Sequence, residues 1–148
     1  MATAKVNPIP EGFHTVTPYL ILKGADKVLQ FIQKAFDAKI INEIKNEDGS
    51  IMHAQAQIGN SYIMLAEASE NYPAKPSMIY LYVEDVDKVY KKALEAGATS
   101  LMPVQNEVYG DRAGGVQDPS GMQWWIATHI EEVSEEEMKK RLQNIKSK

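Results

Sequence analysis

The chain repeats its own pattern, and this constrains its fold more than any single motif. YLILKGADKV at residues 19–28 lies over YLYVEDVDKV at residues 80–89, an offset of 80 − 19 = 61. Tyr, Leu and the triplet Asp-Lys-Val coincide. Further on, AQAQIGNSYIMLA (54–66) lies over GGVQDPSGMQWWI (114–126) at an offset of 60. That places Gln57 on Gln117 and the turn Gly59-Asn60-Ser61 on Pro119-Ser120-Gly121. A loop absorbs a one-residue slip without cost to the pattern. The order of elements repeats too: each half reads strand, helix, strand, strand, strand.

In the first half, FHTVTPYLIL (13–22) has the character of a short strand. GADKVLQFIQKAFDA then sets Val28, Phe31, Ile32 and Ala35 on one helical face. Three strands follow, divided by turns at Asn46-Glu47-Asp48-Gly49 and Gly59-Asn60-Ser61. SENYPAKPS (69–77), with two prolines, predicts a linker. The pattern restarts with MIYLYV, and VDKVYKKALEAGA carries Val86, Val89, Tyr90, Ala93 and Leu94 on one face before stopping at Gly97. Pro103 marks SLMPVQNEV as an edge or short strand; RAGGVQDP and MQWWIATH complete the half. The expected organisation is an arm at 1–12, modules at 13–68 and 78–130, and a C-terminal helix within 131–148. That helix opens on the capping pattern Ser134-Glu135-Glu136-Glu137 and spaces Met138, Leu142 and Ile145 along one stripe, which could dock on its own domain or on a partner subunit.

Composition narrows the function classes. Cysteine is absent, which removes disulfides, thiolate metal sites and a cysteine nucleophile. With a net charge of −4 and lysines scattered among acids, there is no basic stripe for nucleic acid. No apolar run approaches a membrane span and no signal peptide is visible, so a cytoplasmic protein without membrane partners is expected. The glycines of AGGVQDPSG do not make a phosphate loop: they lack the Gly-Lys-Ser/Thr ending and precede a strand.

Three stretches, TPYLILKGADKVLQFIQKAFDAK, MHAQAQIGNSYIMLAE and YGDRAGGVQDPSGMQWWIATHIEEVSEEE, resemble the glyoxalase/bleomycin-resistance/extradiol dioxygenase (vicinal oxygen chelate) superfamily over roughly residues 13–130. The last stretch resembles the PhnB-like branch in particular. The resemblance implies an α+β fold of two tandem βαβββ modules forming curved mixed sheets around a cleft, and a homodimer.

In metal-dependent members, His, Gln or Glu from the first and last strands of each module hold a divalent cation that polarises a substrate oxygen. Here the corresponding positions fall on Thr17, Leu65, Met78 and Trp125. Leucine and tryptophan offer no donor for such a cation, and a thioether is soft. No metal and no cofactor are expected, with His14, His53, Glu67 and His129 as a reserve set.

If MQWWIATH is a strand, alternation turns Trp124 and Trp125 to opposite faces. Trp124 goes with Ile126 beneath the helices, beside Leu20, Leu22, Leu81 and Val83. Trp125 goes with Gln123 to the cleft, where Tyr19, Leu65, Glu67, Met78, Tyr80 and Tyr82 are also expected. Such a surface suits a planar ligand, although the same side chains could fill the cleft or bury against a second subunit. Arg112 could pair with an anionic ligand group, or it and Asp111 could brace the loop by a salt bridge. His53 near Glu67 could act as a general base or serve structurally, and His129 is expected to anchor the exit to the terminal helix. The resulting expectation is metal-independent binding or sequestration of an aromatic or planar small molecule. The alternative is a lyase or dioxygenase-like enzyme, metal-dependent or metal-free.

Overall fold

A computed structural model describes residues 5–146. The chain divides into two compact units, one ending at Pro76 and the other beginning at Ser77.

The first unit runs β1 (Tyr19–Leu22), α1 (Ala25–Phe36), β2 (Lys39–Lys45), β3 (Ile51–Ile58) and β4 (Ser61–Glu67). Its sheet has the order β1-β4-β3-β2, with β1 parallel to β4 and the other pairs antiparallel. The helix packs on β3 and β4. Val28, Phe31, Ile32 and Ala35, which share a helical face in sequence, are all buried there, with Leu20, Leu22, Ile63 and Leu65 of the sheet. The first strand is shorter than FHTVTPYLIL suggests. Residues 13–18 join no ladder. Instead Phe13 donates its N–H to the Pro10 carbonyl and its ring stacks on Tyr62, centroids 4.7 Å apart. The described part of the arm therefore ends in a turn seated on β4.

The second unit repeats the plan with β5 (Met78–Tyr82), α2 (Val86–Glu95), β6 (Thr99–Asn106), β7 (Asp111–Gln117) and β8 (Gln123–His129), followed by α3 (Glu135–Lys146). The sheet order is β5-β8-β7-β6, so Pro103 does lie on an edge strand. Asp85 caps α2 by accepting the Lys88 N–H, and Gly97, at φ 110°, turns the chain away from its C-terminus. Ser134 accepts the Glu137 N–H at the start of α3, as the capping pattern predicts. None of the α3 side chains is buried. Arg141 ties the helix down, donating to the Val108 carbonyl at 3.0 Å and pairing with Glu131 and Glu137.

The register settles the repeat. Ala54 faces Leu65 in the first sheet and Gly114 faces Ile126 in the second, so β3 and β7 correspond at 114 − 54 = 60. Tyr19 pairs with Met64 and Tyr80 with Trp125, so β4 and β8 correspond at 125 − 64 = 61. The offset is 61 at β1 and β5, falls to 60 ahead of β2 and β6, and returns to 61 inside the last hairpin of each module, where Pro119-Ser120-Gly121 replaces the shorter Gly59-Asn60 turn. Met64, not Leu65, is therefore the counterpart of Trp125. Leu65 is paired with Leu20 and fully buried beneath α1, on the face opposite Tyr19.

Candidate functional site

Each sheet has one face under its helix and one face free of it. In the second unit the division is set by two adjacent glycines and two adjacent tryptophans. Trp124 is completely buried on the helix side, and its indole N–H donates to Asp118 Oδ2 at 2.8 Å. Asp118 also accepts the Ser120 and Met122 backbone N–H groups, so the Asp-Pro-Ser-Gly turn is locked to the core. Trp125 is half-buried on the other face, opposite Gly115 in the ladder, with its N–H on Gln123 Oε1 at 3.2 Å. A Cβ at Gly115 would sit 2.7 Å from the Trp125 ring, and one at Gly114 would sit 2.9 Å from Val104 and 3.0 Å from Tyr90 of α2. Each glycine gives up its side chain to a neighbour on its own face.

Alternation and register place Met78, Tyr80 and Tyr82 of β5, Asp111 of β7 and His129 of β8 on the Trp125 face. They are built around one carboxylate. Asp111 is 1% exposed. Its Oδ2 accepts the Tyr80 and Tyr82 hydroxyls, both at 2.8 Å, and its Oδ1 accepts His129 Nδ1 at 2.8 Å. With the Tyr80 proton committed to Asp111, Tyr109 is the donor in the 3.4 Å bond between the two tyrosines. His129 Nε2 reaches Glu132 Oε1 at 3.0 Å. A histidine satisfies two carboxylates at once only as an imidazolium, the form in which both ring nitrogens donate.

The titration behaviour follows from these contacts. Burial works to raise the Asp111 carboxyl, but the bonds from His129, Tyr80 and Tyr82 outweigh it and hold it below its ordinary value. The bond to Asp111, then the bond to Glu132, raises His129. Desolvation first, and with it the bond to Asp111, pushes the Tyr80 phenol far up; the bond to Asp111 is the main cause for Tyr82. Both phenols are therefore fixed as donors at neutral pH, with their rings still exposed, at 39% for Tyr80 and 65% for Tyr82.

Several expected residues lie elsewhere. Arg112 is on the helix side, paired with Thr128 in the ladder. Its guanidinium makes a two-pronged pair with Asp87 of α2 at 2.9 Å for each bond, with a third bond to Asn106. It is committed to structure, and Asp111 takes His129 rather than Arg112 as its partner. Glu67 caps α1: its carboxylate accepts the Gly24 and Ala25 N–H groups at 3.0 to 3.1 Å. The cap comes from β4 because Gly24, at φ 80°, has no side chain to offer. His53 lies on the helix-free face of the first sheet, bonded to the Tyr19 hydroxyl at 2.9 Å and to Gln55, and makes no pair with Glu67. A cavity of about 520 Å³ in the first unit is lined by Tyr19, Ile21, Ala66, Glu67, Ser69 and Tyr72.

The residues in the metal-ligand positions of the resemblance do not suit a divalent cation. Thr17 offers a hydroxyl, Met64 and Met78 thioethers, and Trp125 an indole N–H that is only a donor. Among the described residues no three His, Asp or Glu side chains are grouped as a metal site. No described helix is long and apolar enough to cross a membrane.

Residues 13–126 match the model of the glyoxalase/bleomycin resistance protein/dioxygenase superfamily, and the chain belongs to that family. An uncharacterized protein of Mycobacterium bovis is 31% identical over 134 residues, covering 83% of this chain and 88% of its own. Among solved structures, TioX from Micromonospora sp. ML1 superposes with a TM-score of 0.64 at 22% identity, covering 78% of this chain and 99% of its own. The PhnB protein from Bacillus cereus, described as a putative 3-demethylubiquinone-9 3-methyltransferase, gives 0.62 at 20% identity over 78% and 99%. The tandem βαβββ fold read from the internal repeat is thus the fold of the family.

Proposed function

We propose that the protein binds a planar aromatic small molecule without a metal, on the helix-free face of its second sheet. The observation that carries this is the way the aromatic side chains are held. Trp125 rests on the β7 backbone at Gly115, and the Tyr80 and Tyr82 hydroxyls are anchored on a buried carboxylate while their rings stay exposed. Rings fixed at one end and open on the face lose little entropy when a ligand stacks on them. Met78, 59% exposed on the same face, adds a pliable apolar edge, and Gln123 adds a polar group.

The chemistry of Thr17, Met64, Met78 and Trp125 supports a function that needs no divalent cation. Tyr19, a wall of the first unit's cavity, is not part of this face, and Leu65, Glu67 and Arg112 leave the proposal as well. A homodimer, as the family resemblance implies, is part of the same proposal, and sedimentation equilibrium tests it. Binding is tested by titrating chelator-treated protein with 2-naphthamide, a neutral planar probe, and following tryptophan fluorescence.

A further inference from the structure

The Asp111–His129–Glu132 chain is more elaborate than strand anchoring needs. Asp111 is buried and holds Nδ1 from behind, as Asp orients the imidazole in many sites that use its other nitrogen. Nε2 is left facing outward, and what it holds is a carboxylate whose side chain is 95% exposed. Glu132 lies past the end of β8, three residues from His129 in sequence, and among the described residues its side chain makes no other hydrogen bond. An exposed ion pair of this kind is weak and easily exchanged. The imidazole shares Asp111 with the hydroxyls of Tyr80 and Tyr82, whose rings are exposed.

We propose that His129 Nε2 is an anion subsite of the aromatic face, that Glu132 occupies it in the free protein, and that the ligand is an aryl carboxylate. The aromatic body stacks on Tyr80, Tyr82 and Trp125, and its carboxylate replaces that of Glu132 at Nε2. The exchange is of like for like: one carboxylate leaves for solvent, one arrives, and the charge of the cluster is unchanged. This rests on the aromatic-face proposal and specifies the ligand class for it.

The groups facing His129 are Asp111 on β7, Tyr80 and Tyr82 on β5, Tyr109 on the loop before β7, and Glu132 beyond β8. Glu131 is engaged by Arg141 of α3. Only the imidazolium donates from Nε2 while Nδ1 donates to Asp111. Aryl carboxylate affinity should therefore fall as pH rises through the His129 value, which lies above its ordinary 6.5.

The test compares 2-naphthoate with 2-naphthamide on wild-type protein, Glu132→Ala and His129→Gln. In wild type, naphthoate should bind more tightly than naphthamide, and the difference should vanish at high pH. Glu132→Ala removes the internal competitor and should tighten naphthoate by about two- to fivefold. His129→Gln should weaken naphthoate by roughly tenfold or more while leaving naphthamide in place. Because Glu132 is exposed, its alanine variant keeps the fold and the proposal stays testable should His129→Gln unfold. Equal affinities for the two probes, with no response to Glu132→Ala, overturn the anion subsite and leave the aromatic face standing. Failure of both probes to bind overturns both.

Discussion

Trp125 lies against Gly115 on the neighbouring strand, so closely that a methyl group there would sit 2.7 Å from the indole. A rigid ring cannot yield as a flexible side chain does. Gly115→Ala should lift Trp125 off the sheet and destabilise the fold by about 1–3 kcal/mol, the cost of overpacking. Urea denaturation measures the loss, and near-UV circular dichroism should show a changed tryptophan signal while far-UV bands hold.

Asp111 collects three donors, and among the described residues no other side chain links β5, β7 and β8 in this way. Asp111→Asn turns an acceptor of charge-assisted bonds into a neutral amide and should cost about 1–3 kcal/mol. The pH dependence has two edges. The Asp111 carboxyl is held below its ordinary 3.8, so its contribution is present above that value and lost as pH falls through the folded value. His129 is held above 6.5, so its contribution is fully present below 6.5 and lost as pH rises through the folded value. Urea midpoints across pH should show both edges in wild type, and Asp111→Asn should lose the acid edge and shrink the alkaline one, with the His129 ring signal in NMR titrating at lower pH in the variant.

Glu67 of β4 caps α1. Glu67→Ala leaves the Gly24 and Ala25 N–H groups without their carboxylate and should cost about 0.5–2 kcal/mol of stability. Amide exchange in the first turn of α1 should speed up, with the second unit unaffected.

How much of this the sequence discloses depends on the element. The repeat, the helical faces and the opposed tryptophans were legible because each is a local period: Val28 to Ala35 by helical spacing, Trp124 and Trp125 by strand alternation. Leu65 was misplaced because a second one-residue slip, inside the last turn, returns the offset from 60 to 61 after the first slip ahead of β2 and β6. One residue in a strand exchanges faces, and Met64 takes the position instead. Arg112 and Glu67 went astray for another reason: their partners, Asp87 and the start of α1, are set by tertiary packing that no spacing reveals. The link between Asp111 and His129 was readable and was missed. The hairpin closes at Gln117 and Gln123, and counting six residues outward along each strand brings Asp111 opposite His129. Tyr109 left no such trace, since it sits in the loop ahead of β7.

The most direct test of the aromatic face is a fluorescence titration of chelator-treated protein with 2-naphthamide, comparing wild type with Trp125→Ala and Trp124→Phe. The prediction is saturable quenching in wild type, retained in Trp124→Phe. In Trp125→Ala, followed by ligand emission, binding should be weaker by about 1–3 kcal/mol, the scale of aromatic stacking. Binding that needs an added divalent cation, or that is unchanged in Trp125→Ala, would contradict it.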